Sequence, residues 1–300
     1  MSQHVTPKKG GFSSSETRSK IFFLAPALFL VFVLSIFPTI ASLFLAISRY
    51  GPAGFGGFVW LGNFIDVLGN RHIWETLGTT LIFVFFGVSL QYLLGFGLAL
   101  LLTQKLRFRR FFRVLFLIPM MITPVAVAYI MRMVFDFRIG PLAPIMGLFG
   151  LQDVPWLGNG TLAKILIILG DTWQWTPFIL IVMLAGLETL PHEPYEAAVV
   201  DGATPWELFW HITFPMMLPV SSTVILIRMV EAFKIVDMPI VLTGGGPGVA
   251  TESTTLFAYS TWRSFNLGQV SAIGYILLFT VTLVTTLYVN TVRRRIAGGM

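Results

Sequence analysis

Residues 194–219 read Pro-Tyr-Glu-Ala-Ala-Val-Val-Asp-Gly-Ala-Thr-Pro-Trp-Glu-Leu-Phe-Trp-His-Ile-Thr-Phe-Pro-Met-Met-Leu-Pro. This polar stretch carries its own helix punctuation and lies between two strongly apolar runs. Pro194 suits the first turn of a short helix, where its missing N–H costs nothing. Tyr195–Val200 forms that helix, and Gly202 ends it by taking a left-handed conformation. Thr204, Pro205 and Glu207 then stand as N-cap, first and third residues of a second helix, a capping box that carries it to about Thr213. Pro215 and Pro219 mark the entry to the next apolar run. A chain that needs only to reverse direction does so in a few polar residues, so a structured insertion of this length predicts a surface built to be held.

The flanking sequence says where that surface sits. Apolar residues make up 55% of the 300 positions and charged residues 11%, against about 25% charge in a soluble domain. Six apolar segments are long enough to cross roughly 30 Å of hydrocarbon as helices: Ile21–Ile47, Thr76–Thr103, Val114–Phe135, Leu162–Leu187, Pro215–Val236 and Leu267–Val292. They lack the alternation of barrel strands. The expected fold is an all-α integral membrane protein of six transmembrane helices. Residues 1–20 form a flexible tail, and residues 21–300 one membrane domain with the polar loop at about 188–219. Lys8, Lys9, Arg18, Lys20, Lys105, Arg107, Arg109, Arg110, Arg113, Arg293, Arg294 and Arg295 all fall on one side, the opposite loops keeping Arg49, Arg71, Arg138 and Arg263. The basic side is expected to be cytoplasmic, with both termini inside. The net charge of +6 therefore orients the chain in a lipid bilayer and gives no reason to expect nucleic acid.

The polar loop breaks this pattern. Glu188, Glu193, Glu196, Asp201 and Glu207 lie on the cytoplasmic side with no Lys or Arg among them. Insertion rules do not produce such a loop, so a basic partner is the simplest reason for it. The chain carries little other chemistry. It has no cysteine, no Gly-x-x-x-x-Gly-Lys-[Ser/Thr] loop to cradle phosphates and no His-Glu-x-x-His. Gly-x-Ser-x-Gly is also absent. His4, His72, His192 and His211 are scattered. No catalytic or metal residues are expected, and the chain is not expected to hydrolyse ATP unaided.

Two sets of intramembrane polar residues stand out, because charge inside a bilayer is costly and faces a cavity or a partner. In the fifth span Arg228, Glu231, Lys234 and Asp237 recur every third residue with alternating sign, spacing that permits a charge ladder on one helix face. The ladder is either a cavity wall that bonds a hydroxyl-rich solute or a self-neutralising support. In the fourth span Asp171, Gln174, Trp175 and Phe178 share a face. A carboxylate, an amide and aromatic rings together suit a sugar; packing alone is the other reading.

Glu196-Ala197-Ala198, three residues, Gly202, nine residues, Ile212 and then Leu218-Pro219 resembles the EAA motif of the membrane subunits of binding-protein-dependent ABC importers, with Asp201-Gly202-Ala203 supporting it. Trp60-Leu61-Gly62-Asn63-Phe64, the run Asp171–Phe178, the run Arg228–Asp237 and Leu242–Gly248 are similar to carbohydrate-type permeases of the maltose, glycerol-phosphate and trehalose branch. The resemblance covers nearly everything from Ile21 to Asn290, but the chain has neither the extra amino-terminal helices nor the large outside domain of the maltose permease. It implies a type I ABC importer permease fold in the bacterial inner membrane. It also implies a coupling helix that docks on a cytoplasmic ATPase through Glu196, Ala197, Ala198, Asp201, Gly202, Ala203, Ile212 and Pro219. The implied partners are a second, similar permease (a heterodimer), two ATPase subunits holding ATP and Mg2+, and a periplasmic solute-binding protein. The implied cargo is a sugar, polyol or related glycoside, with a non-carbohydrate solute or a stand-alone secondary transporter as alternatives. Asp171, Gln174, Trp175, Phe178, Arg228 and Glu231 are the candidate pathway residues.

Overall fold

The computed structural model describes residues 14–104, 107–136, 138–150 and 154–298. Helix α1 (Ser14–Val31), a π turn (Phe32–Ile36) and α2 (Phe37–Ala46) make the first span. The helical run thus begins at Ser14, inside the expected tail; residues 1–13 lie outside the described residues. A hairpin of β1 (Ser48–Gly51) and β2 (Gly54–Phe58) follows, then α3 (Gly62–Gly69) and the long second span α4 (Arg71–Thr103). Next come α5 (Arg109–Met121), α6 (Pro124–Val134), the short α7 (Ala143–Gly147) and the fourth span α8 (Gly160–Glu188). The polar loop holds α9 (Glu193–Val200) and α10 (Pro205–Leu208); a second π turn (Phe209–Thr213) leads into α11 (Phe214–Ala232). Helices α12 (Asp237–Leu242) and α13 (Thr254–Arg263) precede the last span, α14 (Leu267–Gly298).

Among the described residues five helical runs are long and apolar enough to cross a membrane, six when the bent pair α5 and α6 is counted as one span. That pair corrects one expectation, a plain third span over Val114–Phe135. The two helices meet at 96°. Pro124 disfavours helical geometry at the residue before it, and both Ile122 (φ −88°, ψ 139°) and Thr123 (φ −64°, ψ 144°) are extended. Discontinuous spans are the mark of transporters built from inverted halves, which carry them in corresponding pairs; among the described residues this one stands alone.

Both π turns precede a Phe-Pro pair, Phe37-Pro38 and Phe214-Pro215. In each the phenylalanine N–H reaches five residues back, to the carbonyls of Phe32 and Phe209. The proline ring crowds the carbonyl four residues before it, and a widened turn relieves the crowding without leaving backbone groups unpaired.

The core lies between α4 and α8, with α11 laid across them. Phe96, Ala99 and Leu102 pack on Ile179, Leu180, Met183 and Leu184, and Met217 and Val224 complete the cluster. Small residues allow the approach: a Cβ on Gly95 would stand 2.8 Å from the Ile179 side chain. Next to the hairpin, Asn63 of the Trp-Leu-Gly-Asn-Phe segment donates to the carbonyls of Ala46 and Ser48, both at 2.8 Å, closing α3 back onto the end of the first span. No residue from Ile21 to Ile40 is buried.

Lipid tails give apolar helices no hydrophobic reason to associate, so close packing carries the stability. Gly95→Val is expected to lower the thermal unfolding midpoint of the detergent-purified protein, overpacking costing about 1–3 kcal/mol. Gly97→Val, where nothing lies within 4 Å of the added Cβ, is expected to leave it nearly unchanged. Equal midpoints for the two variants would contradict the assigned contact.

Candidate functional site

The acidic loop is a built element. Helix α9 carries Glu193 and Glu196 in its first turn, where carboxylates meet the positive end of the helix dipole. Gly202 takes φ +84°, and the Ala203 N–H reaches the Ala198 carbonyl at 2.9 Å, with Gly202 N–H on Val199 at 3.1 Å. These are the reciprocal bonds of a Schellman ending. Thr204 then caps α10: its hydroxyl accepts the Glu207 N–H while the Glu207 carboxylate accepts the Thr204 N–H at 2.7 Å. The expected second helix to Thr213 does not end there. It continues through the π turn into α11, so Pro205–Ala232 is one helical run. Tyr195 donates to the Thr213 hydroxyl at 3.0 Å, which ties α9 to that run.

The expected docking residues fall along this element. Glu196, Ala197, Asp201 and Gly202 are exposed, Ala198, Ala203 and Ile212 are half-buried, and Pro219 lies exposed within α11. Beside the carboxylates stand apolar side chains facing out: Val200 is 86% exposed, Trp206 70% and Val199 60%. Sequence reasoning missed these three. An apolar patch rimmed by acid is the composition of an interaction surface.

Of the charge ladder expected in the fifth span only one rung forms as an ion pair, Glu231 with Lys234. Helix α11 ends at Ala232, so Lys234 and Asp237 leave the helix face that the spacing assumed. Glu231 and Lys234 pair with each other at 2.8 Å, both exposed. Arg228 turns inward instead, with 2% of its surface exposed. Its Nη2 lies 3.4 Å from Asp171 Oδ2, its Nε donates to Gln91 Oε1 at 2.9 Å, and its guanidinium lies 4.7 Å from the Trp175 ring centre. Gln91 closes the triangle: its Nε2 donates to Asp171 Oδ2 at 2.7 Å. The amide spans donor and acceptor in one orientation, joining α4, α8 and α11.

Of the other expected pathway residues, Gln174 is buried and donates to the Ile122 carbonyl at 2.9 Å, at the break between α5 and α6. Its Oε1 is buried without a hydrogen-bond partner. Phe178 and Trp175 are half-buried. The structure thus joins Asp171, Trp175 and Arg228, sets Gln174 against the break, and pairs Glu231 with Lys234 at the exposed surface.

The family described as "Binding-protein-dependent transport system inner membrane component" matches residues 91–298. A trehalose/maltose transport system permease protein of Thermococcus litoralis is 33% identical over 283 residues, 93% of this chain and 95% of that one. This chain belongs to that family. A trehalose transport system permease protein of Mycobacterium tuberculosis is 29% identical over 295 residues, 96% of this chain and 93% of its own. The fold also matches a chain of a bacterial ABC transporter involved in the import of the acidic polysaccharide alginate. There the TM-score is 0.81 at 18% identity, over 93% of this chain and 97% of that one. The protein is therefore a multi-pass permease component with the type I ABC importer fold, and the resemblance carried by its acidic loop is borne out at the level of the family.

Gln91, at the first matched position, is the residue of the buried cluster that the sequence reading missed. A lone amide inside a long apolar span was the available signal, and its spacing from Gly87 and Gly95, four residues either way, marks the close-packed face.

Removing one partner of a buried ion pair costs about 3–5 kcal/mol, because it strands the other charge. Arg228→Met is expected to lower the thermal midpoint of the permease sharply. Asp171→Asn combined with Arg228→Met is expected to recover most of the loss, the asparagine still bonding Gln91. Additive losses in the double variant would show that the two side chains are not energetically coupled.

Proposed function

We propose that this permease is the solute-conducting subunit of an ATP-driven importer, and that α9 together with α10 is the piece its ATPase grips. The carrying observation is the exposed acidic and apolar face of α9–α10, with α9 tied by Tyr195 to Thr213 and α10 continuous with α11. Both termini and this face are cytoplasmic, by the distribution of basic residues. A basic cleft on the ATPase would meet Glu196 and Asp201. Gly202 and Ala197 allow close approach, and Val199, Val200 and Trp206 supply apolar contact. ATP and Mg2+ belong to that partner.

The energy arrives as differential binding: the nucleotide-closed ATPase must favour one permease conformation over the other. Inverting a two-state population from 1:99 to 99:1 takes about 5.5 kcal/mol. The permease pairs with a second, similar membrane subunit to enclose the pathway, and an external binding protein delivers the solute. We take the cargo to be a sugar, polyol or related glycoside. Support comes from the naming of the relatives for trehalose and maltose, and from the aromatic and amide groups of α8. On this reading Trp175, Phe178 and Gln174 line the pathway with Glu231, while Asp171 and Gln91 hold Arg228 in place behind Trp175.

Two measurements test this. Glu196→Lys is expected to weaken docking by about 2 kcal/mol or more, reversing a charge that faces a basic cleft, and Gly202→Pro to disrupt the loop, since proline cannot take φ +84°. Both should lose co-purification of the ATPase and solute-stimulated ATP hydrolysis; intact coupling in both variants sinks the assignment. Separately, Glu231→Gln and Trp175→Ala are expected to alter solute preference in uptake by reconstituted vesicles, and unchanged uptake and preference would take those residues out of the pathway.

A further inference from the structure

We propose that the arginine-rich start of α5 is a binding site for the phosphate-bearing headgroup of anionic phospholipids, set at the root of the acidic element. Arg107, Arg109, Arg110 and Arg113 fall within seven positions, interleaved with Phe108, Phe111 and Phe112. Arg109 and Arg113, one helical turn apart, both donate from Nη2 to the same oxygen, Glu188 Oε1, at 2.6 and 2.9 Å. Their Nε atoms are buried without hydrogen-bond partners. A guanidinium offers five N–H donors, so one carboxylate oxygen leaves both groups largely unspent. Among the described residues Arg107 and Arg110 pair with no carboxylate. Four guanidinium charges against Glu188 leave three in excess.

Arg109, Arg110, Arg113, Phe108, Phe111 and Glu188 line a cavity of about 630 Å³. Its rim is apolar: Phe108 is 68% exposed and Phe111 62%. Phe108 takes φ +66°, a left-handed conformation that costs a non-glycine residue about 1–2 kcal/mol. A phosphodiester fits the floor of this site, because guanidinium forks match its oxygens in pairs. A lipid fits the rim, because acyl chains cover exposed phenyl rings and a soluble anion leaves them in water. Glu188 is the last residue of α8, so a bound headgroup adds a second anion to the clasp between α5 and α8, just ahead of α9. The site lies in the leaflet on the side of the acidic element.

The test is native mass spectrometry of the full-length permease, as purified with its partners, after incubation with dioleoyl phosphatidylglycerol or zwitterionic dioleoyl phosphatidylcholine. Wild type is expected to retain phosphatidylglycerol preferentially. Arg107→Gln with Arg110→Gln, neither of which touches Glu188, is expected to lower that retention about fivefold per arginine with the thermal midpoint unchanged. Glu188→Gln, which removes the competing carboxylate, is expected to raise it. Three results would overturn the proposal. Equal retention of the two lipids by wild type, or retention unaltered in the double variant, removes the lipid site. Displacement of phosphatidylglycerol by millimolar inorganic phosphate makes it a site for soluble anions. Loss of the ATPase from the double variant with lipid retention intact makes it a protein-docking surface.

Discussion

Hydrocarbon offers no water to a polar group, so every departure from regular helix in this permease must bring its own partner. The structure obeys this at each break. Where Pro38 and Pro215 interrupt the first and fifth spans, a π turn re-pairs the preceding backbone. Where the third span breaks at Ile122 and Thr123, Gln174 donates its amide to the Ile122 carbonyl. Where a guanidinium enters the bundle at Arg228, a carboxylate, an amide oxygen and an indole face meet it from the fourth and second spans. The buried charges Asp171 and Arg228 thus sit with Gln91 where three helices are held to one another, and their partners come from different spans.

The same arrangement makes the permease mechanically stiff in one direction. Pro205 to Ala232 is one helical run, and at 1.5 Å per residue Arg228 stands about 35 Å along it from Pro205. The exposed face with Trp206 and Glu207 therefore shares a rod with the guanidinium in the membrane interior, and Tyr195 fastens α9 to that rod. Displacing the rod either drags α4 and α8 with it or opens the Arg228–Asp171 contact. Breaking a buried pair costs several kcal/mol, the same order as the energy needed to invert a conformational equilibrium. An element with two packed arrangements separated by such a contact behaves as a switch, not as a spring.

Much of this was legible before any coordinates. Hydropathy marks the spans because burying an unpaired backbone is prohibitive, and the Gly202 and Thr204–Glu207 punctuation of the acidic loop is local chemistry that the surroundings do not override. What failed depended on context. The ladder of Arg228, Glu231, Lys234 and Asp237 assumed that α11 runs to Asp237, whereas it stops at Ala232 and the sign pattern loses its geometry. Nothing local announces that stop. The third span reads as one apolar run because hydropathy averages over Ile122-Thr123-Pro124 and is blind to the direction change that a proline forces. Gln91 passed unnoticed because a single amide barely shifts the hydropathy of a long apolar segment, although an unpaired amide there would be costly.

The two Phe-Pro π turns explain a further part of the architecture. A π turn accommodates an extra residue, and each residue of an α-helix advances about 100° around the axis. The turn over Phe209–Thr213 therefore rotates every later side chain of the fifth span relative to the face presented by α10. Counted from Trp206 with a uniform 3.6-residue period, Arg228 would stand about 40° around the axis, and the extra residue of the π turn shifts it by about 100°. With the π turn in place it meets Asp171, and Val224 and Met217 meet the core between α4 and α8. The widened turn ahead of Pro215 thus sets the register of α11 in the bundle, within a helical run that carries the exposed Trp206 at one end and the buried Arg228 at the other.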